Sequence, residues 1–510
     1  MATVLLLLCL TTVFGISSSV VISCTGSCNC NLTAGTVSNC SDVTDFPDTF
    51  LNASLITKLH IVGNNLTVLN SRLQIFENLE ILLITNSGIE IIENNTFQGM
   101  DGLQQISIRE NLFEFVRPGT FVDLPALLTL ELSHNNISTL DTHAFWNMSK
   151  LIHINLSYNK ITVIYSDSFG LLPGVTTLDL GHNGLEVVPR RILRNFPNLM
   201  RLHLSGNRIK IVNAHDFAYC VSLKSLYLSD NQISIISNKA FIVNDTGENK
   251  ALKINNIFLD NNKLTEFPPL NDLNRLLEIF ISGNSIDTIT SDAMIGFPGL
   301  TMFHMSYDLA LTEIQPGVFR KLKSLRTIYL NGNQGLKSLP DGLFANQKIL
   351  HTLLLGNCSL TTFPESLGSW EHLAIFNIAN NPLHCDCALK WLSKPHVWNK
   401  RSMTSQMMCA SPPELSHKSV LELDDSDLPC VDHTEVSSRI TNGIIFAIVT
   451  IVLIAIIALV LRFRRTMVLR WRYYRYARQT DDVPFTVDNE YSDYPSGDRK
   501  LRMSDLERDT

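Results

Sequence analysis

The sequence predicts an α/β solenoid in which short parallel β-strands form one long curved sheet, the concave face of the molecule. Two observations lead to this fold class. A pattern of leucines with one asparagine, L-x-x-L-x-L-x-x-N-x-L, recurs through most of the 510 residues, and a cluster of four cysteines stands at each end of the repeated region. A regular repeat indicates a solenoid because each copy can bury its apolar face only against its neighbours.

Fourteen copies of the pattern align on the asparagine position. LLTLELSHNNI (residues 127–137) and LIHINLSYNKI (residues 151–161) are typical copies. We expect the leucines of L-x-L to point into the core and the asparagine to satisfy backbone groups where the chain turns. The asparagine column reads Asn64, Ser87, Asn111, Asn135, Asn159, Asn183, Asn207, Asn231, Asn262, Asn284, Asp308, Asn333, Cys358 and Asn381.

The segments between the strands complete the predicted solenoid. Phenylalanine and leucine recur in TFVDLPAL (residues 120–127) and AFWNMSKL (residues 144–151), and we expect them to close the core from the convex side. The step from Asn231 to Asn262 is longer than the others. Its extra residues include VNDTGENKA (residues 243–251), whose polarity predicts a surface loop.

Apolar segments stand near both ends of the chain. Residues 1–23 combine a short apolar run with small and hydroxyl residues, as a secretory signal peptide does, although the basic start is missing and the cleavage site stays open. A first membrane anchor is the alternative, but the run is short for a span. Residues 440–461 carry no charge over 22 residues, which predicts a transmembrane helix.

The charges beside this second segment predict its orientation. Arg439 alone lies just before it, whereas seven arginines follow within residues 462–478. By the positive-inside rule the N-terminal bulk is extracellular, as in a single-pass type I protein of the plasma membrane. Ten N-x-[ST] glycosylation sequons agree with this topology, at Asn31, Asn39, Asn52, Asn65, Asn94, Asn136, Asn147, Asn155, Asn244 and Asn357.

Ten cysteines remain after the signal peptide. Cys220 and Cys358 lie inside distant repeats and are expected to be structural thiols, because repeats contact only their neighbours. The other eight form the two end clusters. An oxidising compartment favours disulfides over a zinc site that could include His384 and His396. Spacing alone allows three pairings in each cluster, Cys24, Cys28, Cys30 and Cys40 in front and Cys385, Cys387, Cys409 and Cys430 behind.

The repeated region resembles leucine-rich repeats, and the resemblance covers nearly the whole expected ectodomain. The motif N-P-x-x-C-x-C-x-L-x-W-L begins at Asn381 and is similar to the C-terminal disulfide cap of animal leucine-rich-repeat receptors and adhesion proteins, including ectodomains of the Toll-like type. The resemblance implies the disulfides Cys385–Cys409, Cys387–Cys430, Cys24–Cys30 and Cys28–Cys40.

The expected organisation follows from these features. It comprises a signal peptide (1–23), an N-terminal cysteine-rich cap (24–54), about fourteen leucine-rich repeats (55–381), a C-terminal cap (382–431), a stem (432–439), a transmembrane helix (440–461) and a cytoplasmic tail (462–510).

Catalysis has little support in the sequence. It contains no G-x-S-x-G, H-E-x-x-H or Walker motif and no paired carboxylates outside ordinary surface positions, so we expect no enzyme, no cofactor and no metal site. His134 and His182 precede the asparagine position and are expected at the surface. The net charge of −7 gives no case for a nucleic-acid partner.

Ligand binding is expected on the concave strands. The middle residue of L-x-L faces solvent there, and side chains of adjacent strands, ~4.8 Å apart, form a continuous column. Exposed aromatic patches are common at interfaces. The predicted ligand-binding residues are Tyr227, Phe258, Phe280, His304 and Tyr329.

Two further possibilities concern this column of residues. The rings can simply pack on one another and stiffen the sheet, without binding anything. In the earlier repeats the same column holds Glu131 and Asp179, and a glycan on Asn155 would obstruct that half of the face.

The expected tail of 49 residues is too short for a kinase or for the Toll/interleukin-1 receptor domain of Toll-like receptors. Its basic start suits plain anchoring or anionic lipid headgroups. Tyr491, Tyr494 and Ser504 lie among acidic residues and are possible phosphorylation sites.

Two functions follow from this organisation. One is a recognition or adhesion receptor for an extracellular protein or glycan, which signals through adaptors or a co-receptor or forms a homodimer. The other is a non-signalling decoy, co-receptor or matrix tether. Both innate immune recognition and adhesion are compatible with the ectodomain.

Overall fold

The computed structural model describes residues 21–24, 28–31, 34–38, 43, 46, 53–243, 250–270, 272–393, 407–424, 426–428 and 433–477. The chain divides into two compact units, residues 1–430 and 431–510.

The first unit is built on one sheet of seventeen strands, which confirms the predicted solenoid. The first three strands pair antiparallel, and every later pairing in this sheet is parallel. The strands are β1 (Val21–Cys24), β2 (Cys28–Asn31), β3 (Thr36–Ser38), β4 (Lys58–Val62), β5 (Ile81–Thr85), β6 (Gln105–Arg109), β7 (Thr129–Glu131), β8 (His153–Asn155), β9 (Thr177–Asp179), β10 (Arg201–His203), β11 (Ser225–Tyr227), β12 (Asn256–Phe258), β13 (Glu278–Phe280), β14 (Met302–His304), β15 (Thr327–Tyr329), β16 (Thr352–Leu354) and β17 (Ile375–Asn377).

Short elements connect these strands away from the concave sheet. Parallel strand pairs or triplets are Val68–Leu69 with Ile91–Ile92, Phe115–Val116 with Thr139–Leu140 and Val163–Ile164, Phe121–Val122 with Phe145–Trp146, Ile211–Val212 with Ile235–Ile236, Thr288–Ile289 with Glu313–Ile314, and Leu383–His384 with Cys409–Ser411. An antiparallel pair, Ile242–Val243 with Lys250–Ala251, flanks the predicted surface loop. Helical segments are α1 (Arg190–Leu193) and the 3-10 turns Ala53–Leu55, Ser71–Ile75, Glu365–Leu367, Cys387–Ser393, Pro413–Leu415 and Val420–Glu422.

The leucine pattern forms these strands because it alternates with a period of two. In β7, β8 and β11 to β15 the middle residue is buried while the residues on either side are half-buried on the concave face. Leu130, Ile154 and Leu226 are fully buried in this way. Each such side chain contributes about 1.5–3 kcal/mol to folding.

The convex side of the core contains a stack of phenylalanines. Phe97, Phe121, Phe145 and Phe169 lie with ring centroids 5.3, 5.7 and 4.7 Å apart, and all four are buried. Phe121 and Phe145 belong to the two segments expected to close the core from this side.

The asparagine column carries a buried hydrogen-bond network, as its position predicts. Asn159 Nδ2 donates to the carbonyls of Leu132 and Leu156, both at 3.0 Å, and its Oδ1 accepts from the Ile137 amide at 3.0 Å. Asparagine suits this position because its amide both donates and accepts.

Three positions in this column hold another residue: Ser87, Asp308 and Cys358. Ser87 Oγ donates to the Thr85 carbonyl at 3.0 Å. Cys358 is buried, and its Sγ lies 3.2 Å from the Leu330 carbonyl. Asp308 is fully buried, its Oδ2 accepts from the Ile286 amide at 3.2 Å, and its Oδ1 has no hydrogen-bond partner. Burial raises the pKa of Asp308 to about 6.

The C-terminal cap covers the last repeat. Cys385 and Cys409 form the disulfide that the resemblance implies. Cys387 is also disulfide-bonded, whereas Cys430 lies outside the described residues. Trp391 is buried between Phe363 and Trp370, with ring centroids 5.9 and 5.3 Å away. The cap therefore supplies the apolar cover that a further repeat would have given.

The second unit contains the helix α2, His433–Ala477. Within it, Ala447–Arg472 is long and apolar enough to cross a membrane. The helix begins before the predicted span (440–461) and continues beyond it, so it also includes most of the predicted stem. In its last turns the Arg475 guanidinium lies 4.1 Å from the Trp471 ring centroid.

Candidate binding surface

The five aromatic residues predicted for ligand binding lie side by side on β11 to β15. Strand register aligns Tyr227 with Phe258, Phe258 with Phe280, Phe280 with His304, and His304 with Tyr329. The ring centroids in this order are 4.4, 4.6, 5.6 and 5.0 Å apart. The predicted column is thus one continuous row of rings.

A sixth ring, which was not among the predicted binding residues, extends this row. His203 on β10 is aligned with Tyr227 and stacks on it at 3.9 Å, with 7° between the ring planes. Its place in the middle of L-x-L was the available sequence signal. We call the six residues the aromatic ladder: His203, Tyr227, Phe258, Phe280, His304 and Tyr329.

The ladder changes geometry along its length. The rings from His203 to Phe280 are nearly parallel, with interplanar angles of 7°, 6° and 14°. At His304 the rings meet at 80° and 71° instead. All six side chains are half-buried. The rings therefore pack on one another, as the stiffening alternative expects, and still present part of their surface to solvent.

Burial makes both histidines of the ladder less basic. It lowers the pKa of His304, while the nearby Asp260 carboxylate opposes this change. It also lowers the pKa of His203, opposed by Asp179 and assisted by Arg201 and His153. Both imidazoles are therefore neutral at physiological pH, and the ladder is an uncharged strip.

Polar side chains run along both edges of the ladder and, at Asp179, continue its column beyond His203. Asp260 Oδ1 accepts from the Ser282 amide at 2.9 Å, and Asp179 Oδ1 accepts from the Gly181 amide at 2.8 Å. The Glu278 carboxylate accepts a hydrogen bond from the Asn256 amide group. Arg201 Nε donates to Thr177 Oγ1 at 3.2 Å. Carboxylates thus flank a strip of rings.

The earlier repeats present a different surface in the same column. Glu131 accepts from Asn155 Nδ2 at 2.9 Å and lies 3.1 Å from His153 Nε2. The sequon residue Asn155 is half-buried on β8. The polar character predicted for this half is confirmed.

A second, shorter stack lies where the chain leaves the concave strands. Tyr158 stands between His134 and His182, with centroids 4.2 and 4.1 Å apart. All three have left-handed backbones, with φ of 56°, 54° and 52°. They are exposed as expected for the two histidines, but the stacking was not predicted. The following repeat has Gly206 at this position, where a Cβ would clash with the His182 ring.

Several predicted sites stay untested. The side chains of Cys24, Cys28, Cys30 and Asn31 lie outside the described part, as do Asn39, Cys40, Asn52, Asn244, Tyr491, Tyr494 and Ser504. The other sequons belong to the described solenoid. Within the described residues, no three His, Cys, Asp or Glu side chains group as metal ligands, and His384 Nδ1 is hydrogen-bonded to Ser411 Oγ at 2.8 Å.

Family models match most of the repeated region. The leucine-rich-repeat model matches residues 77–137, 127–185 and 173–233, and the BspA-type leucine-rich-repeat model matches residues 271–372. The leucine-rich-repeat C-terminal domain matches residues 406–431.

Curated relatives share part of the solenoid. Tsukushi of Rattus norvegicus is 32% identical over 117 residues, which cover 23% of this chain and 33% of the relative. Vasorin of Homo sapiens is 29% identical over 190 residues, covering 32% of this chain and 28% of the relative. The chain thus spans less than half the length of these relatives.

Solved structures share the fold. A chain in the structure of the Toll–Spatzle complex, a molecular hub in Drosophila development and innate immunity, is 21% identical with a TM-score of 0.60, covering 76% of this chain and 54% of that one. A chain in the TLR13–ssRNA13 complex is 24% identical with a TM-score of 0.59, covering 74% and 58%. At this level of identity the likeness shows a shared fold.

Four observations indicate the same family: the stacked parallel strands, the asparagine column, the cap and these matches. Proteins of this kind bind other molecules, and the chain is not an enzyme. It belongs to the animal leucine-rich-repeat proteins that carry a C-terminal cap.

Proposed function

We propose that the protein is a type I plasma-membrane receptor or adhesion protein, which binds an extracellular protein or glycan through the aromatic ladder. One observation carries the proposal. Six half-buried rings form a continuous uncharged strip on the concave face. Large stiff side chains of this kind bury area on binding at little entropic cost.

Anchoring is the second part of the proposal. The apolar segment Ala447–Arg472 has the length of a membrane span. The arginines after residue 461 then lie in the cytoplasm, and signalling runs through adaptors on the tail or through a co-receptor. Solved neighbours in the fold form complexes with the protein Spatzle and with an ssRNA, which supports ligand binding in general.

The ladder is tested with the full-length chain displayed on cells. The probes are arrayed multimeric ectodomains of cell-surface and secreted proteins, together with a glycan array. We expect the double substitution Phe258→Ala/Phe280→Ala to abolish capture of a probe that binds the wild type, with surface display unchanged. Phe115→Ala is the matched control, because Phe115 is an aromatic residue 50% exposed outside the ladder. Unchanged capture by the double variant would leave the rings with a stiffening role only.

Deletion of residues 478–510 tests whether the protein signals. A receptor loses its cellular response to a bound probe and keeps the binding. A decoy, co-receptor or tether keeps its effect on the cell, which would favour the non-signalling alternative.

A further inference from the structure

Ring stacking determines which surfaces of the ladder a ligand can reach. Tyr227 has His203 on one face at 3.9 Å and Phe258 on the other at 4.4 Å. Phe258 is likewise enclosed between Tyr227 and Phe280. Because these rings are nearly parallel, their faces are covered, and the half-exposed part that remains consists of ring edges.

Ligands differ in which part of an aromatic ring they need. Nucleobases stack on ring faces, and cations sit over ring faces, where the quadrupole is negative. Sugar rings likewise lay their C–H groups against an aromatic face. Ring edges carry the positive part of the quadrupole and meet aliphatic groups or the faces of other aromatic rings. The parallel part of the ladder therefore excludes stacking ligands and accepts apolar side chains.

The charges beside the ladder restrict the ligand further. Asp260 and Glu278 flank the strip, and Asp179 continues its column beyond His203. These carboxylates accept hydrogen bonds from amide or hydroxyl groups of the protein. Within the residues of strands β10 to β15, Arg201 is the one Lys or Arg, and it belongs to the first ladder strand, β10. Lys224 and Arg326 directly precede β11 and β15. A phosphate or sulfate chain needs several cations to neutralise it, and this strip offers carboxylates instead.

We infer that the ladder takes a protein segment with aliphatic or aromatic side chains, which meet the ring edges, and with Lys or Arg residues, which meet the flanking carboxylates. This inference rests on the proposed function and chooses a protein over a glycan or an RNA. Electrostatic complementarity of this kind gives specificity and speeds association.

The test presents three kinds of probe to the full-length chain in lipid nanodiscs. They are a phage-displayed random peptide library, a glycan array and a single-stranded RNA oligonucleotide. We expect selected peptides to combine aromatic or aliphatic residues with Lys or Arg. Their binding falls about tenfold or more in Phe258→Ala/Phe280→Ala, and it weakens as salt is raised.

Two isosteric variants test the chemistry of recognition. Glu278→Gln with Asp260→Asn keeps oxygen acceptors for Asn256 and Ser282 but removes both charges, so it should weaken the selected peptides about tenfold. Phe258→Leu keeps an aliphatic contact and should retain binding within about threefold, whereas a stacking ligand would be lost. Thermal melting of each variant checks the fold.

The outcomes separate this inference from the proposed function. Ladder-dependent binding of the RNA or of a glycan, or peptide binding insensitive to the two carboxylates, overturns the inference while the ladder remains the binding surface. If no probe loses binding in Phe258→Ala/Phe280→Ala, the proposed function fails as well.

Discussion

The earlier and later repeats share one backbone plan and differ in the same two columns. On the concave column, β7 to β9 carry Glu131, Asn155 and Asp179, whereas β10 to β15 carry the aromatic ladder. In the asparagine column every position from Asn111 to Asn284 is asparagine, whereas the last four positions include Asp308 and Cys358. From this difference we expect that substitutions on the solvent face cost little stability and that substitutions in the buried polar column cost more, because buried polar groups need partners.

The largest expected effect comes from breaking the regular column in the earlier repeats. Asn159→Ala leaves the buried Ile137 amide without its partner. It also removes one of the two asparagine donors to each of the buried Leu132 and Leu156 carbonyls. We expect the free energy of unfolding to fall by about 3 kcal/mol, with faster hydrogen exchange of the amides in repeats around residue 159. Denaturant unfolding and hydrogen exchange measure this, with the exposed neighbour Lys160→Ala as the control. Equal stability of the two variants would contradict the role of the column.

Restoring an asparagine to the column in the later repeats should raise the free energy of unfolding. Asp308→Asn replaces a buried acid by an amide that can donate, as Asn284 does to the Leu259 and Ile281 carbonyls at 3.1 and 2.8 Å. We expect a gain of about 2 kcal/mol at pH 7.4, because an ionised group without enough partners is costly to bury. Asp287→Asn, an exposed site one repeat earlier, is the control and should change nothing.

The gain from Asp308→Asn depends on pH in a defined direction. The folded pKa of Asp308, about 6, lies above that of an unfolded aspartate. The wild type therefore loses stability as pH rises through about 6, and the substitution should help most above that pH. Melting curves at acidic and neutral pH measure this. A gain independent of pH would show that packing rather than charge explains the effect.

Most of the fold and of the ladder can be predicted from the sequence because the repeat has two periods. One is the two-residue alternation along each strand, and the other is the spacing from one strand to the next. The strand positions, the inward leucines and five of the six ladder residues follow from reading L-x-L down the column. His203 is not predicted because the residues before it in the column, Glu131, Asn155 and Asp179, are polar, so the aromatic run begins at Tyr227 in the sequence pattern. The stack of His134, Tyr158 and His182 depends on left-handed backbones in three successive repeats, which a leucine pattern does not reveal.

The smallest expected effect concerns the sequon in the earlier repeats. Asn155→Gln removes any glycan from β8 while keeping an amide beside Glu131. We expect ladder-dependent capture to change less than about twofold, because Asn155 lies two repeats before the first ladder ring, His203. Binding assays with cells that display the full-length chain measure this. A large gain in capture would mean that the earlier half of the face also binds ligand once it is uncovered.

The central claim is that the later half of the concave face is the binding surface. The most direct measurement compares two double substitutions in the same column of the full-length, cell-displayed chain. We expect Phe258→Ala/Phe280→Ala to lose probe capture, and Glu131→Ala/Asn155→Ala to retain it at equal surface display. Loss of capture in the earlier pair with retention in the later pair would contradict the account.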